Sequence, residues 1–310
     1  MSKIKVGIPR ALHYYFFKDL WYGFFRELGI QTITSPETNK EIVRLGVALS
    51  VDEACFSSKL YLGHIEWLLD KCDTIFVPRI ENSRIREDYC PRLIGVYDLV
   101  KHTFPCANLL HADVNYLMRK KESDAFVKIG EQLGFDAETS LKAYKTAVLH
   151  AQNIKDNEAL RQGAKLNSDK LKVLVVSHSY NTFDAYIGKD ILKYFNQNNI
   201  EVIFADVACP KVAKAKTREL HGNRIYWKVN SEILGGVELY KERVDGIVLI
   251  STFPCGPDSI FNEMIIRTEK NIPILSLMID ELDASAGIIT RLESFTDILN
   301  ARCTNANDKA

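Results

Sequence analysis

The chain alternates between two hydrophobic periods. Short apolar runs bounded by Gly, Pro or Ser predict buried strands, and apolar residues recurring every third or fourth position predict helices. Lys3 to Ile8 is a short apolar run closed by Pro9-Arg10. Tyr15 to Leu28 carries Phe16, Leu20, Phe24 and Leu28 at four-residue steps and stops at Gly29, which predicts an amphipathic helix. Ile30 to Thr34 predicts a second strand. Thr38, with Glu41 three residues on, predicts the cap of a helix reaching about Leu49. A helix over Phe56 to Leu69 and a third strand over Thr74 to Val77, ending at Pro78-Arg79, come next. Arg92 to His102 predicts a helix opened by Pro91, and Asn108 to Val114 a fourth strand.

From about residue 115 to 168 the chain is rich in Lys, Glu, Gln and Ala and has no strand signal. Phe126, Ile129 and Leu133 mark one helix. Thr139 or Ser140 is placed to cap a longer one running to about Gln162, so the segment predicts a helical hairpin. Strands then return over Lys172 to Ser177, Ile200 to Asp206, Gly246 to Ser251 and Ile274 to Ile279. Helices over Asp190 to Asn196, up to about Tyr240, Ser259 to Lys270 and Gly287 to Leu299 alternate with them. Strands alternating with helices mean parallel sheets covered on both faces. The expected architecture is α/β. Two doubly wound, Rossmann-like lobes (1–114 and 169–310) are joined by the hairpin (115–168), with a functional site in the cleft between lobes.

The length of 310 residues agrees with two domains at roughly 150 residues each. Forty basic residues balance forty acidic ones, which argues against nonspecific nucleic-acid binding. No apolar run approaches the roughly 18 residues of a membrane span, and the N-terminus lacks the apolar core of a signal peptide. The expectation is a soluble, cytoplasmic protein whose thiols are not paired in disulfides.

Seven cysteines stand at 55, 72, 90, 106, 209, 255 and 303, and no C-x-x-C occurs. Ligands of open parallel sheets bind beyond the carboxyl ends of the strands. Those ends present Arg10, Ser35 and Arg79 in the first lobe and His178, Asp206, Cys209, Ser251, Asp280 and Glu281 in the second. Cys55, Cys90 and Cys255 each precede a predicted helix, where the partial positive charge of the N-terminus favours thiolate. Cys209, in Ala-Cys-Pro, is a rival. Cys72, Cys106 and Cys303 read as structural or idle thiols. Three thiolates from distant segments suit an iron–sulfur cluster with one iron open to substrate better than a structural zinc, which takes four ligands at short spacings.

Seven segments carry a wider likeness. They are Gly-Ile-Pro-Arg-Ala (7–11), Ser-Pro-Glu-Thr-Asn-Lys-Glu (35–41), Val-Asp-Glu-Ala-Cys (51–55), Val-Pro-Arg-Ile (77–80), Tyr-Cys-Pro-Arg (89–92), Cys-Gly-Pro-Asp-Ser (255–259) and Thr-Arg-Leu-Glu-Ser-Phe (290–295). In this order they resemble the family related to 2-hydroxyacyl-CoA dehydratase subunits, in its CoA-substrate-specific enzyme activase-like branch, over nearly the whole chain. The resemblance implies a 4Fe-4S cluster on Cys55, Cys90 and Cys255 and does not extend to Cys209. Relatives include dehydratases, aryl-CoA reductases such as benzoyl-CoA reductase, and proteins with an 8Fe-9S double-cubane cluster, which is the alternative cofactor here. In those relatives an ATP-hydrolysing partner with its own iron–sulfur cluster delivers low-potential electrons. This chain has no G-x-x-x-x-G-K-[ST] loop and so resembles the acceptor rather than the ATPase. The family's Asp-Glu-His run reads Asp280-Glu281-Leu282-Asp283-Ala284 here, without the histidine.

The remaining roles follow from position. Arg10 and Arg79 would stabilise cluster charge, or else form surface ion pairs. Asp52 and Glu53 would tune the cluster or move protons, or else cap a helix. His178 is the expected proton donor, Gly256 lets the backbone approach the cluster, and Asp258 and Ser259 cap the following helix. The aromatic run Tyr14 to Phe25 reads as core or homodimer interface. The expected function is a dehydratase- or reductase-like iron–sulfur component acting on a small molecule. The alternative is a non-enzymatic accessory or cluster-delivery protein.

Overall fold

A computed structural model describes residues 4–82, 87–222, 224–282 and 285–307. The chain forms two compact units. The first comprises Met1–Asn157 with Tyr226–Lys228, and the second Glu158–Ile225 with Val229–Ala310.

In the first unit, strands β1 (Lys5–Ile8), β2 (Gln31–Thr34), β3 (Thr74–Phe76), β4 (Arg79–Asn82), β5 (Leu109–Leu110) and β6 (Asp113–Asn115) accompany helices that lie wholly within it. These are α1 (His13–Glu27), α2 (Lys40–Ala48), α3 (Phe56–Leu68), α4 (Pro91–Ile94), α5 (Val96–Thr103) and α6 (Glu122–Gln132). A long helix α7 (Ala137–Leu166) leads out of it. The main sheet is parallel with order β2-β1-β3-β5, and β4 and β6 make a separate parallel pair. Val6, Ile8, Ile75 and Phe76 bury both sheet faces. The aromatic run is core where it is deepest. Trp21 and Phe25 meet Phe76 edge-on at 5.0 and 5.3 Å, and Phe24 meets Phe126 at 4.8 Å.

The second unit contains β7 (Lys172–Val176), α8 (Ser179–Thr182), α9 (Lys189–Gln197), β8 (Glu201–Phe204), α10 (Pro210–His221) and α11 (Lys228–Tyr240). It continues with β9 (Gly246–Thr252), α12 (Gly256–Thr268), β10 (Ile274–Ile279) and α13 (Ser285–Asn307). Its sheet is parallel with order β10-β9-β7-β8. Read by position in each sheet, both units show the order 2-1-3-4. In both, the crossover from second to third strand is a pair of helices, α2–α3 and α10–α11. The helices of each pair close on glycines. A Cβ on Gly63 would lie 2.1 Å from the Ile42 carbonyl, and one on Gly235 would lie 2.0 Å from that of Ala213.

Local chemistry shifts several expected boundaries. The cap of α2 is Asn39, not Thr38: its side chain accepts from the backbone of Glu41 and Ile42 at 3.0 and 3.1 Å. Thr38 is buried and pairs instead with His64 Nε2 at 3.0 Å. Asp136, not Thr139 or Ser140, accepts from the Thr139 backbone at the start of α7. The single helix expected over Arg92 to His102 is two, parted at Gly95. The strand expected over Asn108 to Val114 is β5 and β6 in different sheets, and β4 was not anticipated. The polar tail with Cys303 is the last part of α13. Lys3, Asp283 and Ala284, to which two of the expectations refer, lie outside the described residues.

Candidate functional site

A doubly wound sheet of this order has its ligand crevice outside the carboxyl ends of strands 1 and 3, where the winding reverses. In the first unit those ends are the β1–α1 connection and the segment after β3. In the second they are the β7–α8 and β9–α12 connections.

Three candidate thiols stand at helix N-caps. Cys55 caps α3, Cys90 caps α4 ahead of Pro91, and Cys255 caps α12 ahead of Gly256-Pro257. All three have extended backbone and are half-buried. Cys90 and Cys255 hold comparable places: each caps the first helix after the third strand of its unit's main sheet, directly in the second unit and after the intervening β4 in the first. Cys209 also occupies an N-cap, that of α10, but is exposed. Cys72 lies at the other end of the layers. Its Sγ bonds the Leu68 carbonyl at 3.3 Å, and a Cβ on Gly7 would approach it to 2.5 Å, so it packs against β1.

The β9–α12 connection carries more chemistry than a cap. Asp258 was expected to cap α12 together with Ser259. Cys255 takes the cap position, and Asp258, in the first turn, is buried. One carboxylate oxygen of Asp258 receives His178 Nε2 at 2.8 Å and Asn230 Nδ2 at 3.1 Å. Burial alone would push its pKa up, but the His178 charge and hydrogen bond, with hydrogen bonds from Asn230 and the Cys255 thiol, outweigh it and hold the acid below its ordinary value. His178 itself caps α8 at the end of β7 and stacks on Tyr180 at 4.8 Å. Its Nδ1, Asp258 Oδ2 and Ser251 Oγ are buried without protein partners among the described residues. A cavity of about 20 Å³ touches Ser177, Asn230 and Asp258, room for one water molecule. Asp206 is tied to Ser179, and burial raises its pKa.

In the first unit Arg79 is engaged with carboxylates. It bonds Asp98, lies 4.0 Å from Asp113 and covers the Tyr97 ring at 5.1 Å. Arg10 is anchored differently: its backbone N–H donates to Ser35 Oγ at 2.8 Å and its Nε to the Ser35 carbonyl at 3.1 Å. Asp52 and Glu53 are exposed in the turn before Cys55. A Cβ on Gly256 would meet nothing within 4 Å. His13, 1% exposed, opens α1 with both ring nitrogens unpartnered among the described residues. Burial lowers its pKa to about 3. Leu12, just before it, has φ 47° and ψ −112°, a strained backbone for a side chain of that size.

Among the described residues, no group of three or more His, Cys, Asp or Glu side chains is gathered in a metal-holding arrangement. Cys55 and Cys90 belong to the first unit and Cys255 to the second. The structure therefore fixes the setting of each thiol, while the set of three rests on their shared chemistry as N-cap sulfurs.

Residues 5–208, about two thirds of the chain, match the model of a family described as CoA enzyme activase uncharacterised domain (DUF2229). The chain belongs to that family. Its matched region contains Cys55, Cys90 and His178, and ends before Cys255 and Asp258. No curated protein matches the chain. No helix among the described residues is long and apolar enough to cross a membrane. The His178–Asp258 pair and the buried histidines were missed by sequence reasoning. The only signal was that His178 follows a strand and Asp258 follows Cys255 by three residues.

Proposed function

We propose that this protein is an iron–sulfur component of dehydratase or reductase type. Cys55, Cys90 and Cys255 would hold a 4Fe-4S cluster whose fourth iron is open to a small substrate. An ATP-hydrolysing iron–sulfur activator would supply it with low-potential electrons. The observation that carries the reading is the correspondence of Cys90 and Cys255. In each unit a cysteine caps the first helix after the third strand of the main sheet, with β4 intervening in the first unit. Thiolate is the ligating form of cysteine, and a helix N-terminus stabilises it. Membership of a family described by enzyme activation supports a protein that works with a partner enzyme system. Cluster ligands commonly assemble only with the metal. His178, oriented by Asp258, is the group best placed in the second unit to hold a proton for the substrate.

Iron and acid-labile sulfide, measured on anaerobically purified protein, test this. Four of each per chain are expected, falling to background in Cys255→Ala. A count near eight irons would instead point to the double-cubane cofactor. Iron-free folded protein, after reconstitution with iron and sulfide, would overturn the proposal.

A further inference from the structure

The sequence Gly7-Ile8-Pro9-Arg10-Ala11-Leu12-His13 leads from β1 into α1, and the cluster reading draws on nothing in it but the charge of Arg10. It combines four features. Arg10 is half-buried, and its guanidinium has no carboxylate partner among the described residues. Its backbone N–H and Nε are both fixed on Ser35, a residue with no exposed surface, so the planar fork is held rather than swinging in solvent. His64, also without exposed surface, bonds Thr38 Oγ1 through Nε2 and has its buried Nδ1 unpartnered among the described residues. The strained backbone of Leu12 lies two residues beyond Arg10 in the same connection.

A buried donor left unsatisfied in the protein marks a place for a ligand or an ordered water. Strain of this kind persists where the surrounding structure imposes it, often at binding sites. With Thr38 Oγ1 donating to Nε2, Nδ1 of the neutral His64 carries the proton and is a second donor. The charge of Arg10 reaches His64, adding to burial in holding it neutral. The position is the carboxyl edge of strands 1 and 2 of a doubly wound sheet, the side on which such folds take ligands.

We infer that Arg10, pre-set by Ser35 and flanked by Thr38 and His64, forms a binding site for an oxyanion, a phosphate or carboxylate group of a small molecule. A rigid guanidinium presents two parallel N–H donors that match two oxygens of such a group, which an ammonium cannot do. The inference does not rest on the cluster and holds for protein without iron.

Isothermal titration of the full-length, iron-free chain with inorganic phosphate, and separately with acetate, at constant chloride tests it. Saturable binding of at least one anion is expected. Affinity falls about tenfold in Arg10→Lys, which keeps charge but loses the fork, and is abolished in Arg10→Gln. Arg44→Gln, an exposed change on α2, leaves it unaltered. Binding of phosphate alone assigns the site to a phosphoryl group, and binding of acetate, alone or with phosphate, to a carboxylate. The Nε bond goes to the Ser35 backbone carbonyl, which no substitution at Ser35 removes, so Arg10→Lys, which keeps the charge, carries the test if Arg10→Gln does not fold. No saturable binding of either anion to the wild-type chain overturns the inference, as does binding by Arg10→Lys equal to that of the wild type.

Discussion

Buried histidines dominate the residue scale. His13 and His64 both have pKa values lowered to about 3, His13 by burial and His64 by burial with the added charge of Arg10. The unfolded chain protonates each near pH 6.5, while the native protein does so only near pH 3. Their contribution to stability is therefore complete above pH 6.5 and is lost progressively as pH falls from there towards 3. The loss is about 1.4 kcal/mol per pH unit for each group across that window. His13→Phe removes one of them and two unpartnered buried nitrogens. Its urea midpoint should fall less steeply with acid than the wild type's, and its stability at pH 7 should rise by about 1 kcal/mol. Equal slopes below pH 6.5 would mean that His13 is already protonated in the native state.

At the scale of elements, the glycine-packed crossover helices carry the clearest prediction. Gly63→Ala on α3 sets a methyl 2.1 Å from the Ile42 carbonyl, so α2 and α3 must part, at a cost of about 3 kcal/mol in thermal or urea denaturation. Gly163→Ala on α7, where nothing lies within 4 Å, should stabilise by about 0.8 kcal/mol through helix propensity. The two substitutions are chemically identical and differ only in what the Cβ meets. Such close approach left no trace in the hydrophobic pattern, because pattern reports which face is buried and not how near the neighbour stands. The same limit explains which elements were legible. The central strands β1, β3, β7 and β9 are apolar runs walled by Gly, Pro or polar residues. β4, Arg79-Ile80-Glu81-Asn82, pairs with β6 outside the main sheet, and its alternation of polar and apolar residues resembles a loop. The cap of α2 was misplaced by one residue since Thr38 and Asn39 are both good caps, and only the buried bond from Thr38 to His64 decides between them. The candidate site was legible where it depends on chain order: the N-cap thiols and His178 at strand ends. The Asp258 pair was not, because 80 residues separate it from His178.

The whole molecule is organised by a chain that returns. After entering the second unit near residue 158 it passes back through Tyr226–Lys228, which belong to the first. There Trp227 forms a parallel bridge with Asp88, and the Lys228 backbone donates to the Asp88 carbonyl at 2.8 Å. Lys228 also lies 5.2 Å over the ring of Tyr89, the neighbour of Cys90. Lys228→Pro tests the hold. Lys228 opens α11, where proline is tolerated, so the change deletes the donor to Asp88 without breaking the helix. Amide exchange at Tyr89 should quicken about five- to tenfold, as the loss of one hydrogen bond implies. Unchanged exchange would show that the bridge adds nothing to the order of this segment.

That return sets a timetable for biosynthesis. Cys90 is made early, but the three residues that brace its neighbours follow about 70 residues after the rest of the first unit is complete. At about 5–20 residues per second a ribosome needs roughly 4 to 14 seconds to reach them. During that interval the Asp88–Cys90 segment lacks its contacts to Trp227 and Lys228, and any factor that must reach the Cys90 thiol before they form has those seconds in which to do so.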